Sequence, residues 1–193
     1  MAGRPRSIDR DKVLDAAERI VAANGAAGLT FDAVARAAGI TKGGVQYCFG
    51  TKEKLIDAMI DRWSDAFETD IAALVGPDPG PVEVIRGHLT VTRDENAADH
   101  SRSAVMMTAL LDRPERVAEG RDWYMQRLAG LDLNDPEGRR VALAFLAGEG
   151  AFLLRALGLI EFAEADWTRL YDDMLDMLGP DRAGLPVRPA SGV

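Results

Sequence analysis

The chain has 193 residues, 47% hydrophobic and 28% charged, enough to bury a sizeable core and inconsistent with a disordered or fibrous protein. A single cysteine, Cys48, excludes a disulfide framework within the chain, and no apolar run reaches the roughly 18 to 20 residues of a membrane span. The net charge of −8 is uneven: residues 1–55 hold 9 Lys and Arg against 6 Asp and Glu, which leaves 14 basic and 25 acidic residues elsewhere, a balance of −11. One end alone can therefore meet a polyanion while the rest repels it. No secretory signal is visible where Arg4, Arg6, Asp9, Arg10 and Asp11 mix their charges, so a soluble cytoplasmic protein in a reducing compartment is expected.

Apolar positions recur at helical spacing almost throughout, and alternating β-branched runs are missing, which predicts an all-α protein of about nine helices. Val13, Ala16, Ala17, Ile20 and Val21 form a first stripe that stops at Asn24-Gly25. Thr30 is a natural N-cap for a short helix over 31–38, and Asp32 lies in its first turn, where a negative charge suits the helix dipole. Gly39 supplies the positive φ of a sharp turn, Thr41 caps a second short helix over 42–49, and Thr51 caps a long one.

Counted from Phe31, a small residue (Ala35) falls fifth, glycine (Gly39) ninth, and aliphatics (Ile40, Val45) tenth and fifteenth. A helix-turn-helix has these requirements: close packing at Ala35, a turn at Gly39, and Val34, Ile40 and Val45 between the helices. A plain helical hairpin would not explain Gly43-Gly44 inside the second helix, since each glycine costs about 1 kcal/mol relative to alanine. Close approach of that backbone to DNA would.

Residues 7–73 resemble the DNA-binding half of the TetR repressor family, including the Thr51-Lys52-Glu53 opening of the connecting helix. The resemblance implies a homodimeric, all-helical repressor of a double-stranded DNA operator, whose C-terminal part binds a small effector and dimerises through its last two helices. It places Lys42, Gly43, Gly44 and Gln46 where base edges are read, on a helix capped by Thr41, and Tyr47 and Lys52 where phosphates are gripped. It also gives Thr30 a phosphate to bond while it caps its helix. Many relatives carry a hydroxylated residue in place of Gly44, tyrosine in place of Gln46 and an aromatic in place of Cys48, so a different operator sequence is implied. Arg4 and Arg6 could add contacts from a flexible arm.

The long helix carries Leu55, Met59, Ile60, Trp63, Phe67, Ile71 and Leu74 and is expected to end at Pro77, Pro79 and Pro81. Further helices are expected at about 82–97, 101–112, 115–130, 136–158 and 163–178. Trp63, Phe67, His88, Met106, Met107, Leu110, Trp123, Tyr124, Met125 and Glu149 are the residues suited to line an effector pocket, and rings beside carboxylates suit a lipophilic or cationic effector. Phe145, Gly148, Phe152, Trp167, Leu170, Met174 and Leu178 are the candidates for a dimer interface of two helices from each subunit, although periodicity alone cannot tell it from an internal core.

The expected division is a helix-turn-helix domain at 1–54, an effector-binding and dimerisation domain at 55–178 and a flexible tail at 179–193. His88 and His100 are the only histidines and stand twelve apart, so no metal site is expected. No phosphate-cradling glycine loop, catalytic constellation or cofactor motif stands out, and a non-enzymatic regulator is the reading. Its alternative is a helical small-molecule-binding or enzymatic protein with a vestigial helix-turn-helix.

Overall fold

The computed structural model describes residues 8–95 and 114–180. The expectations for Arg4, Arg6, His100, Met106, Met107 and Leu110, for a helix over 101–112 and for nearly all of the tail lie outside the described residues. Among the described residues eight helices occur: α1 Arg10–Gly28, α2 Phe31–Ala38, α3 Lys42–Phe49, α4 Lys52–Val75, α5 Pro81–Arg93, α6 Pro114–Arg127, α7 Pro136–Ala156 and α8 Glu164–Asp176. No strand is present among the described residues. The chain forms two compact units and passes from the first to the second within α4, between Ser64 and Asp65.

In the first unit, Asp9 caps α1 by accepting from the Asp11 and Lys12 amides at 3.2 and 3.3 Å. The helical path breaks at Gly25, where φ is 63°, as the Asn24-Gly25 pair predicts. Val13, Ala17 and Val21 of α1 meet Val34 of α2, Val45 and Phe49 of α3, and Leu55 and Met59 of α4 in one core. Each of the fully buried aliphatics contributes about 1.5 to 3 kcal/mol, so the two short helices α2 and α3 owe their stability to this shared interior. Arg62 of α4 reaches Asp15 and Glu18 of α1 at 2.9 and 2.6 Å, and the Trp63 indole donates to the same Glu18 at 2.8 Å.

The second unit is built from the end of α4 with α5, α6, α7 and α8. Ile85 and Leu89 of α5, Val141, Ala144 and Phe145 of α7, and Trp167 and Tyr171 of α8 form its core. The helices α5 and α7 come close at Gly148, where a Cβ would lie only 2.2 Å from Leu89 Cδ2. The Tyr171 hydroxyl donates to the Gly148 carbonyl at 3.1 Å, so the same point receives α8. The turn between α4 and α5 differs from expectation. Gly76, with φ 79°, follows the last residue of α4, and Pro81 instead opens α5, where its missing N–H costs nothing.

This core takes in several of the residues expected at a dimer interface. Phe145, Gly148, Trp167 and Leu178 are buried within the single chain, and Phe152 and Met174 are half-buried; Leu170 alone of the seven is exposed. The reason is that α7 is apolar on more than one face, and α5 and α8 take the face that holds Phe145. The opposite stripe, with Leu143, Leu146 and Leu154, is left on the surface.

Candidate nucleic-acid interface and interior cluster

The α2–turn–α3 segment is held by local hydrogen bonds that its sequence dictates. Thr30 Oγ1 accepts from the Ala33 amide at 3.1 Å and Thr41 Oγ1 from the Gly44 amide at 3.1 Å, so both helices start on a side-chain cap. Gly39 takes the left-handed conformation at φ 67°, and the Ile40 amide bonds back to Ala35 O at 3.0 Å, closing α2 and turning the chain into α3. Val45 and Phe49 then point α3 into the first core, and the Arg10 guanidinium covers the Phe49 ring at 4.8 Å.

With those residues inward, Lys42, Gly43, Gln46 and Tyr47 are left on the surface, Tyr47 with 87% of its area exposed. Thr30, Thr41 and Lys52 are exposed as well, and Thr51 Oγ1 accepts from the Lys54 amide at 3.3 Å, capping α4. This face presents an ammonium, a carboxamide and a phenol on a rigid helix, a mixture suited to base edges and phosphates.

Gly44 does not belong to it. It is buried, and a Cβ there would lie 3.0 Å from Ile8 Cδ1 and 3.4 Å from Ile40 Cδ1. Interior packing, rather than approach to a base, accounts for this glycine. Gly43 is the open one, with nothing nearer a built Cβ than Thr41 Oγ1 at 3.9 Å. Cys48 is half-buried against the first core.

Two partners of α3 residues, one inward and one on the exposed face, carry no signal in the sequence pattern. Ile8 precedes any recognisable helix stripe, and Asp32 pairs with Lys42 across ten positions, Oδ2 to Nζ at 2.8 Å. A cation in the first turn of a helix opposes the dipole, and the Asp32 carboxylate offsets that for Lys42.

The second unit brings together five of the expected pocket residues, Phe67, His88, Trp123, Tyr124 and Glu149, and adds Phe145. His88 Nε2 meets Glu149 Oε1 at 2.6 Å, and the Tyr124 hydroxyl donates to Glu149 Oε2 at 2.6 Å. The His88 ring lies edge-on to Phe67 and Phe145, with centroids 5.1 and 5.0 Å apart, and 5.6 Å from the Trp123 ring. Glu68 accepts from the Trp123 indole at 2.7 Å and pairs with Arg127, whose guanidinium sits 4.6 Å above the Trp123 ring. Burial first, and then the charge of Glu149, push the Tyr124 hydroxyl well above its ordinary range, so it remains a donor.

Trp63 is a correction. It packs on the first core, with its indole committed to Glu18, because the helical turn that carries it faces α1. Met125 is exposed and faces away from the cluster's side of α6. Among the described residues no group of three or more His, Cys, Asp or Glu side chains could hold a metal ion, and no helix is long and apolar enough to cross a membrane.

Comparison with known proteins adds the following. The family model for bacterial regulatory proteins of the tetR family matches residues 13–59, and the model for the tetracyclin repressor-like C-terminal domain matches residues 82–179. No curated protein matches the sequence. Among solved structures, a transcriptional regulator from Rhodococcus sp. Rha1 is similar with a TM-score of 0.68 at 18% identity, over 88% of this chain and 95% of that one. The fatty acid degradation regulator FadR from Bacillus halodurans has a TM-score of 0.65 at 18% identity, over 92% and 96%. The multidrug binding protein EbrR, complexed with proflavin, has a TM-score of 0.52 at 21% identity, over 86% and 98%. At such identities the likeness establishes the fold.

Proposed function

Because the chain belongs to the TetR family of bacterial transcriptional regulators, we propose that it is a ligand-responsive repressor that binds a palindromic operator as a homodimer and leaves it when a small effector binds. In this reading residues 1–54 supply the DNA-binding part and residues 55–178 the effector-binding and dimerising part. The protein works by binding, in the cytoplasm where the genome is, and not by making or breaking bonds.

The observation that carries the reading is the two-sidedness of α3. Val45 and Phe49 anchor one side in the core, while Lys42, Gly43, Gln46 and Tyr47 are exposed on the other. A helix held this way enters the major groove as a rigid body, with Gln46 suited to adenine and Tyr47, Lys52 and Thr30 to phosphates. One such helix reads few base pairs. Two related by a two-fold axis, about 34 to 36 Å apart or a multiple of that, read a palindrome.

The dimer surface in this proposal is the outward stripe of α7, Leu143, Leu146, Gly150, Leu154 and Leu157, with Leu170 of α8. A row of leucines spaced three or four apart on an exposed helix is best covered by a second copy of itself, packed as a four-helix bundle. The ring cluster around His88 and Glu149 is the proposed effector site, suited to a lipophilic or cationic compound; the structurally similar multidrug binding protein EbrR is complexed with proflavin. To shift the equilibrium, the effector must bind the DNA-incompetent arrangement more tightly than the competent one.

Selection of bound fragments from a random DNA pool tests the reading. Enrichment of a two-fold symmetric motif supports it. Failure to enrich any motif at low salt would favour a helical binding or enzymatic protein with a vestigial helix-turn-helix.

A further inference from the structure

Within the ring cluster one polar atom is left over. His88 has a side chain only 4% exposed, and its Nε2 is committed to Glu149, yet its buried Nδ1 has no hydrogen-bond partner among the described residues. Orphaned polar atoms are uncommon in folded interiors, because each gives up its water for nothing. Among the described residues the ring neighbours cannot serve it: Phe67 and Phe145 have no polar side-chain atom, and the Trp123 indole N–H is already given to Glu68.

Glu149 presents the opposite case. One of its oxygens meets His88 and the other receives the Tyr124 hydroxyl, both at 2.6 Å. Its charge is answered from within the protein, so it acts on a ligand chiefly by setting the tautomer of His88. Glu149 Oε1 accepts a hydrogen bond from the Nε2–H of the neutral ring, which leaves Nδ1 as an acceptor among aromatic rings. Phe67, Trp123 and Tyr124 are only half-buried and form the outer side of this cluster, while His88 lies deeper.

On the reading that this cluster is the effector site, we infer that the effector is an apolar or aromatic compound with a hydroxyl-type hydrogen-bond donor, which it gives to His88 Nδ1. The rings take up the apolar body, and the donor supplies the partner that Nδ1 lacks. His88 is thus a specificity-determining residue, and Glu149 and Tyr124 are positioning residues that hold its acceptor in place. A quaternary cation has no such donor and leaves Nδ1 unsatisfied.

The test is calorimetric titration of the whole chain, without DNA, by 4-butylphenol and by 4-butylanisole, which differ by a methyl cap on the donor. The phenol should bind about tenfold tighter or more, since the anisole leaves the buried acceptor unpaired. In His88→Phe, which keeps a ring in the position, the preference should vanish. Histidine nitrogen resonances of the unmutated protein give a second readout that needs no variant: Nδ1 of His88 should move with the phenol and not with the anisole. Equal affinities, no binding of either probe, a preference that survives in His88→Phe, or binding of tetrapropylammonium in place of the phenol would each overturn the inference. DNA is absent from the titration, so failure of the repressor reading would show in the fragment selection and not here.

Discussion

Lys42, the first residue of α3, reaches back across the turn to Asp32 in the first turn of α2, with Nζ 2.8 Å from Oδ2. Both side chains are more than half exposed, so the pair adds little to stability, of the order of 0.2 to 1 kcal/mol. Its consequence is for the DNA-facing surface, where it cancels a positive charge and places a carboxylate beside the expected path of a phosphate backbone. Asp32→Asn should leave the melting temperature nearly unchanged and tighten binding to all duplexes. The salt dependence should steepen by about one counterion. Fluorescence anisotropy across a salt series measures both.

Gly43 and Gly44 should respond differently to alanine. Gly43 faces open space, so Gly43→Ala should raise stability by up to about 1 kcal/mol while weakening DNA binding through its added methyl. Gly44→Ala must displace Ile8, so its gain should be smaller or reversed. Denaturant midpoints of the two variants, compared with operator affinities, separate the roles.

Gln46 and Lys52 are both exposed, one on α3 and one at the start of α4. Gln46→Ala should relax base preference at one operator position, by about 1 to 3 kcal/mol of discrimination. Lys52→Ala should weaken binding uniformly over cognate and random DNA and lower the salt slope by about one. Equal losses on both DNAs for both variants would contradict these assignments.

Phe145 and Leu146 are adjacent, yet one is 1% and the other 58% exposed. Phe145→Ala should cost about 3 to 5 kcal/mol of folding stability. Leu146→Glu should keep the fold and convert a dimer to monomers, read by sedimentation velocity. A Leu146→Glu protein that still sediments as a dimer would move the interface elsewhere.

Tyr171 is buried and Tyr124 half-buried, and burial, as the first cause, raises each hydroxyl above the ordinary value of 10.0. A raised folded-state value means that the stabilisation is complete below about pH 10 and is lost as pH climbs beyond it, because the unfolded chain ionises first. Unfolding free energy should therefore fall above about pH 10. Replacing Tyr124 by Phe should flatten that fall at the cost of the hydrogen bond to Glu149, which denaturant melts at several alkaline pH values would register.

The helix bounds of the helix-turn-helix are legible in the sequence because the signals that start and stop its helices are local. A threonine cap acts three positions ahead, a left-handed glycine ends the helix that precedes it, and the apolar spacing of Val34, Ile40 and Val45 marks the inner side. The bounds 31–38 and 42–49 follow from those signals alone. Gly43-Gly44 was read as one feature because a sequence does not say which side of a helix a glycine faces. Ile8 decides that, and it comes from another segment of chain.

The second unit divides along the same line. Its helices, their proline and glycine boundaries, and the aromatic and acidic residues suited to a ligand site could be read from spacing. The partners could not. His88 and Glu149 are 61 positions apart and Tyr124 and Glu149 are 25 apart, and no periodicity links them. The same limit explains Phe145 and Leu146. On a helix apolar on opposite sides, periodicity supplies two stripes of equal standing, and only the packing of α5 and α8 made the Phe145 stripe interior and left Leu146 outside. Short-range order is written in neighbouring residues; which apolar face is buried depends on contacts between distant segments, and those exist only once the chain has folded.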